Sequence, residues 1–359
     1  VNYVVHNEPN WLYEAATCIS EQDSKNEERV IENHNKFGMT KEEMTGYFKK
    51  HMTYKKAVLK DILPIYNRYS SQKWLFQKFE LEMDDDFCLG VSIIAFWGNR
   101  ASLDMSNTDI DKLMVEYLIS TISDYSTDTD NKEIIVNSLS DLVDVLNRTS
   151  MDDAFKMHLI RLYHNRHNTI KELLEMLLLC VPICQKHFHI IKEDFDKSLE
   201  VLTKAEDLEK LFDKSVGIKI KSHVDCNIYL TIFNFNRFRL ELNDDINNYY
   251  LGLYFLSLVD LKEKNRFNDN DMIADLKALG DTTRLKIIRI LSEKKMYTQE
   301  LAEIIGLTPA TVSHHISILL KSDLISVTIG DENTRKVFYE VNGSKLEEMG
   351  NSIKSLATN

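Results

Sequence analysis

The last quarter of the chain changes its hydrophobic period once, and that change constrains the fold more than any other feature. From residue 281 to 321 apolar residues recur at helical spacing, and from 325 to 341 they alternate. Asp281 stands where a helix N-cap belongs, and Leu285, Ile288 and Leu291 behind it are expected to face one core. Thr298 can cap a second short helix with Leu301, Ile304 and Ile305 on its inner side, and Gly306 breaks it. Thr308 and Pro309 open a third, 309–321, because threonine caps well and proline suits a first turn. Beyond it, Ile325-Ser-Val-Thr-Ile329 and Arg335-Lys-Val-Phe-Tyr-Glu-Val341 flank Gly330-Asp-Glu-Asn-Thr334, a turn composition, so 325–341 should form a hairpin. Two short helices with a glycine between them, then a hairpin, describe a helix-turn-helix with a wing.

The third helix has a divided surface. Val312, Ile316, Leu319 and Leu320 should pack inward, which leaves Ala310, Thr311, Ser313, His314 and Ser317 outside. A helix that enters the DNA major groove needs such a small polar face, because bulky side chains would hold it off the base edges. Thr308 and Pro309 lead this helix and Lys321 ends it, while Arg335 and Lys336 lie near the hairpin tip, placed for phosphates or a minor groove. A final helix over 344–356 carries Leu346, Met349, Ile353 and Leu356. That narrow stripe suits pairing with another helix, so these four are the expected dimerisation residues.

Three segments, Ala278-Leu-Gly-Asp-Thr-Thr-Arg-Leu285, Glu300-Leu-Ala302 and Thr311-Val-Ser-His-His-Ile316, closely resemble the arsenical-resistance repressor (ArsR-type) winged-helix family, over roughly residues 270–342. The resemblance implies a homodimeric repressor on a palindromic operator in double-stranded DNA, with the third helix in the major groove. This chain also departs from the family. Where metal-sensing members carry Cys-x-Cys it reads Met296-Tyr-Thr-Gln-Glu300, and no histidine follows His315. Both familiar metal sites are missing, and no cofactor is expected.

Charge is unevenly placed. Residues 271–359 hold 11 Lys+Arg against 12 Asp+Glu, whereas 1–270 hold 33 against 44, so the acidity belongs to the N-terminal part. An acidic chain binds DNA weakly without specificity, since phosphate contacts dominate that affinity. Specific binding must then come from local cations: Arg284, Lys321, Arg335 and Lys336. The 11 glycines lie no closer than seven residues apart, which excludes a dinucleotide fingerprint and a phosphate loop. Five cysteines, an odd number in a long chain, argue against a disulfide framework and suit the cytoplasm. No 18-residue uncharged apolar run is present, so no membrane span and no membrane partner are expected.

At 359 residues two or three domains are expected. The fold class is mainly α: a helical domain over 1–215, a small β-containing segment over 216–262, and a winged helix-turn-helix over 263–359. Helical spacing covers 14–31, 41–63, 109–122, 131–146, 151–162, 169–181 and 191–211. Strands are expected at 218–221, 227–233 and 235–240, with a further one in 249–259, and 263–271 is the expected linker. Cys180, Cys184, His187 and His189 are metal-ligand types at short spacing, but the cysteines lie in an apolar stretch broken by Pro182 and are expected to be buried packing residues. No catalytic set follows from spacing alone, so the chain is expected not to be an enzyme. It is expected to be a regulator whose N-terminal part senses an unknown effector or serves dimerisation and partner binding. The alternatives are an enzyme with a fused DNA-binding tail and a protein whose winged helix contacts protein.

Overall fold

The computed structural model describes residues 2–81, 84–123, 125, 134–205, 207–216, 218–220, 224–243, 245–265, 269–331 and 334–355. A short strand, β1 (Tyr3–Val5), precedes α1 (Trp11–Ser20), which begins at Asn10, whose side chain accepts from the Tyr13 amide. The single helix expected over 14–31 is two, because α1 stops at Ser20 and α2 (Asn26–Glu32) starts afresh. Next come α3 (Lys41–Tyr47), opened by a Thr40–Glu43 capping box, and α4 (Lys49–Arg68). Strands β2 (Lys78–Leu81) and β3 (Asp84–Cys88) pair antiparallel and lead into α5 (Leu89–Trp97), every residue of which is buried. Then follow α6 (Asn107–Ser123), α7 (Leu139–Leu146), α8 (Asp153–His164), α9 (Arg166–His187), α10 (Lys192–Thr203) and α11 (Leu208–Val216).

Helices α1, α4 and α9 pack together and bury Tyr13, Cys18, Tyr54, Val58, Leu177 and Cys180 between them. Each fully buried aliphatic side chain contributes about 1.5–3 kcal/mol. Helix α9 runs through Pro182 rather than stopping before it. Contrary to the sequence expectation, 166–190 is long and apolar enough by composition to cross a membrane. Here that helix buries Ile170, Leu173, Leu174 and Leu177 against α1, α4 and α6, while Leu178 and Leu179 stay exposed.

The middle segment is not a free-standing sheet. After β4 (Ile218–Ile220), strands β5 (Asp225–Thr231), β6 (Phe238–Glu241) and β7 (Ile246–Gly252) join β1 in the order β1-β5-β7-β6. β1, β5 and β7 run parallel, and β6 is antiparallel to β7. β5 and β7 are buried along almost their whole length, as parallel strands covered on both faces must be. Helix α5 covers one side, where the Tyr250 hydroxyl donates to the Ala95 carbonyl at 3.0 Å. A Cβ at Gly252 would lie 2.4 Å from the Asn234 carbonyl oxygen, so only glycine lets the turn after β5 come so close. The strand expected in 249–259 ends at this glycine, and α12 (Phe255–Lys264) follows. One hydrophobic cluster runs from Tyr13 to Leu258 and includes both the helices and this sheet.

The expected linker 263–271 is largely helical at its ends. α12 reaches Lys264, α13 (Asp269–Leu279) starts at Asp269, and 266–268 lie outside the described residues. The C-terminal unit continues as α14 (Thr282–Glu293), α15 (Thr298–Ile305), α16 (Pro309–Lys321), β8 (Ile325–Asp331), β9 (Thr334–Val341) and α17 (Gly343–Ser355). It has its own cluster, with Ile287, Leu291, Leu301, Val312, Ile316, Leu319 and Tyr339 at the centre. Strand β4 pairs parallel with β8, so the wing is a three-stranded sheet of order β4-β8-β9 that the preceding segment completes.

Candidate nucleic-acid interface

The reading surface is built from its caps inward. Asp281 caps α14 and accepts from the Arg284 amide at 2.9 Å. That hydrogen bond holds its carboxyl below the usual aspartate range. Gly306 ends α15 in the left-handed conformation at φ 79°, and its amide bonds to the Ala302 carbonyl. Thr308 caps α16, accepting from the Thr311 amide at 3.2 Å, and the two threonine hydroxyls lie 2.8 Å apart. Pro309 occupies the first turn, as the sequence predicts. The Met296 and Tyr339 backbones bond to each other in both directions, which ties the start of α15 to the wing.

Val312, Ile316 and Leu319 hold α16 on the core, while Thr308, Ala310, Thr311, His314 and Lys321 stand exposed. Pro309 and Ser317 are half-buried. Ser313 departs from the expectation: it is 5 % exposed and lies on the packed side, because 312, 313 and 316 fall on one arc of the helix. His315 turns inward, with its Nδ1 3.6 Å from the Asp281 carboxylate. His314 and His315 therefore divide between the outer face and the packing.

Two inward-facing expectations and one cation are corrected. Leu285 and Ile304 are exposed, and Ile287 and Ala302 take the buried positions beside Ile288 and Leu301. Arg284 is not a free cation for phosphate. Its guanidinium donates to the Ala278 and Lys277 carbonyls and closes the C-terminus of α13. The exposed cations of this unit include Lys286, Arg289 and Lys321. Arg335 and Lys336 fall on β9, but their side chains lie outside the described residues.

Of the four residues expected to dimerise, Met349 is buried in its own winged-helix core and Leu346 packs against that core. Ile353 is 45 % exposed, and Leu356 lies outside the described residues. Sequence reasoning missed Ile273 and Leu276 on α13, both exposed, and the ion pair of Lys345 with Asp275 at 2.6 Å. Both members of that pair are buried, and it fixes α17 to α13. An i, i+3 apolar spacing on α13 was the available signal for the first two.

The metal-ligand candidates do not converge. Cys180 and Cys184 are buried among apolar side chains, where burial pushes the Cys180 thiol up to about 12. His187 is held by Asp61 at 3.1 Å, and the His189 ring bonds to the Lys186 carbonyl. Among the described residues no group of three or more His, Cys, Asp or Glu is placed to hold a metal.

No curated protein and no solved structure matches the chain. No family model matches the N-terminal part. Residues 281–327, which span α14, α15, α16 and the start of the wing, match the family described as "Bacterial regulatory protein, arsR family", and the C-terminal region of this chain is an ArsR-type helix-turn-helix.

Proposed function

We propose that the chain is a homodimeric transcriptional repressor, acting in the cytoplasm without catalysis, whose two α16 helices read a palindromic operator. The ArsR-type helix-turn-helix supports DNA-binding transcription regulation. The observation that carries the finer reading is the outer face of α16, where Thr308, Ala310, Thr311 and His314 form an exposed, small and polar strip on a helix buried on its other side. Such a strip lets the helix axis approach base edges, and the threonine hydroxyls and the imidazole supply hydrogen-bonding groups. Exposed Lys286, Arg289 and Lys321 add cations that position the unit on phosphates. Ile273, at 47 % exposure, Leu276 and Ile353 leave apolar surface on α13 and α17, and these are the contacts proposed for the dimer. All five cysteines are free and buried, which suits a reducing compartment.

The test is binding of the full chain to DNA from upstream of its own coding region, titrated across salt, beside a Thr311→Ala/His314→Ala variant. Tight, salt-dependent binding that the variant loses by about 1–3 kcal/mol per base contact is expected. Equal affinity of both proteins for operator and unrelated DNA would refute operator reading. Ser313 is left unchanged in this test because its replacement would probe packing.

A further inference from the structure

An unassigned cleft of about 710 Å³ opens in the N-terminal unit. Its size falls within the roughly 300–1,000 Å³ usual for small-molecule sites. The floor is Leu230, Leu251, Gly252 and Leu253, at the carboxyl ends of parallel strands β5 and β7, where open α/β sheets place their ligands. The walls are apolar: Val201 of α10, Leu211 of α11, and Leu256 and Val259 of α12.

The polar groups decide which charge can enter. Lys50 and Lys197 reach the cleft, but both are already held by Glu193, at 2.6 and 2.8 Å, and Lys50 also by Asp194 at 2.9 Å. The Tyr254 hydroxyl donates to the other Asp194 oxygen at 2.7 Å, and Tyr47 donates to Ser257. An anion would therefore compete with two carboxylates for these lysines. On the opposite wall stand Asp260 and Glu263, one turn apart on α12. Glu263 makes no ion pair among the described residues. Among the described residues Asp260 pairs only with Lys264 on its own exposed helix face, an interaction worth little in water. A cation gains both carboxylates without displacing a strong partner.

The same walls are the connections to the reading unit. Helix α11 runs toward β4, which pairs with wing strand β8. Helix α12 carries Lys262, 3.5 Å from Asp323, the left-handed residue (φ 55°) between α16 and β8. A ligand wedged between α11 and α12 touches both routes by which the N-terminal unit holds the wing and the end of the reading helix.

We propose that this cleft binds a small, mainly apolar organic cation, and that its occupancy changes operator affinity; only the second half rests on the DNA-binding reading. The test uses the full chain and two ions of equal shape, tetraphenylphosphonium and tetraphenylborate, in calorimetric titrations. Expected are one phosphonium site per chain, borate binding weaker by about tenfold or more, and loss of about tenfold in phosphonium affinity in Val201→Trp. Val201 is 51 % exposed, so the tryptophan narrows the cleft without entering the core. Asp260→Asn/Glu263→Gln, at an exposed and a half-buried position on the α12 wall, should weaken the phosphonium and leave thermal unfolding nearly unchanged. Equal binding of the two ions, no phosphonium binding, or binding indifferent to Val201→Trp would overturn the site. The same samples are titrated with the upstream DNA, where the phosphonium should shift affinity by about fivefold or more in the unaltered chain and not in Val201→Trp. DNA binding that ignores a bound phosphonium overturns the coupling. Phosphonium binding by a chain that binds no DNA keeps the site and defeats the DNA-binding reading.

Discussion

At the scale of single residues, one side chain from each unit carries a stability claim. Glu14 is fully buried and accepts from the Ile232 and Phe233 amides at 3.0 and 3.2 Å, yet burial raises its carboxyl to about 7. Its folded value exceeds its unfolded one, so between about pH 5 and pH 7 the folded chain holds a proton that the unfolded chain has released. The Glu14 contribution to stability falls as pH rises through that window, by at most about 1.4 kcal/mol per pH unit for one proton, while buried His51, lowered to about 4 by desolvation, contributes in the opposite sense up to its unfolded value. Urea unfolding of the unaltered chain and of Glu14→Gln, compared across about pH 5–7, should differ by this slope, with the variant losing less stability as pH rises. Asp281 behaves in the opposite sense. The Arg284 amide lowers its carboxyl, so its contribution is present above the unfolded value and is lost as pH falls through the folded one. Asp281→Ala should cost the C-terminal unit about 1 kcal/mol at neutral pH, read as a lower urea midpoint with unchanged slope. The caps were legible in the sequence because Asp281, Thr298, Gly306, Thr308 and Pro309 each do a local job. Even there the detail shifted: Thr298 is the first helical residue of α15 and Tyr297 takes the cap position. Ser313 and Leu285 were misplaced for a different reason. Paired apolar residues such as Ile287-Ile288 and Ile290-Leu291 support two adjacent faces, and only tertiary packing selects one.

At the scale of elements, glycine supplies the sharpest contrast. Gly306 holds φ 79° with open space around it, so Gly306→Ala should cost about 1–2 kcal/mol from the backbone alone. Gly350 is exposed within α17, also in open space, and Gly350→Ala should stabilise by about 0.4–1 kcal/mol. Opposite signs in thermal unfolding of the two variants are expected, and equal signs would contradict the assigned conformations. Elements with one wet face were readable, since their periodicity is written in polar residues. Helix α5 was not, because a helix buried all round, Leu89–Trp97, has no polar face to set its period. Hairpin β2–β3 lies outside every helix and strand expected from the sequence, and β1 has only three residues, too few to show a pattern. The segment 249–259 combines the end of β7 with the start of α12, and both are apolar.

At the scale of the molecule, two hydrophobic cores are joined by β4 on the wing, by α12 leading to α13, and by the Lys262–Asp323 contact. The β4 pairing and the Lys262–Asp323 contact had no sequence signature, because each depends on a partner some 60 or more residues away. The cleft was invisible for the same reason, since its lining comes from residues scattered between 46 and 263. The proposed dimer predicts that Ile273→Glu/Ile353→Glu sediments as a monomer and loses operator affinity, while its helical content stays unchanged. A dimeric variant would place the contact elsewhere. The central claim is that two α16 helices read a symmetric site, and hydroxyl-radical footprinting on the upstream DNA tests it most directly. Two protected patches about one helical turn, roughly 34 Å, apart are predicted, both absent with Thr311→Ala/His314→Ala. A single patch, or protection that survives in the variant, would contradict it.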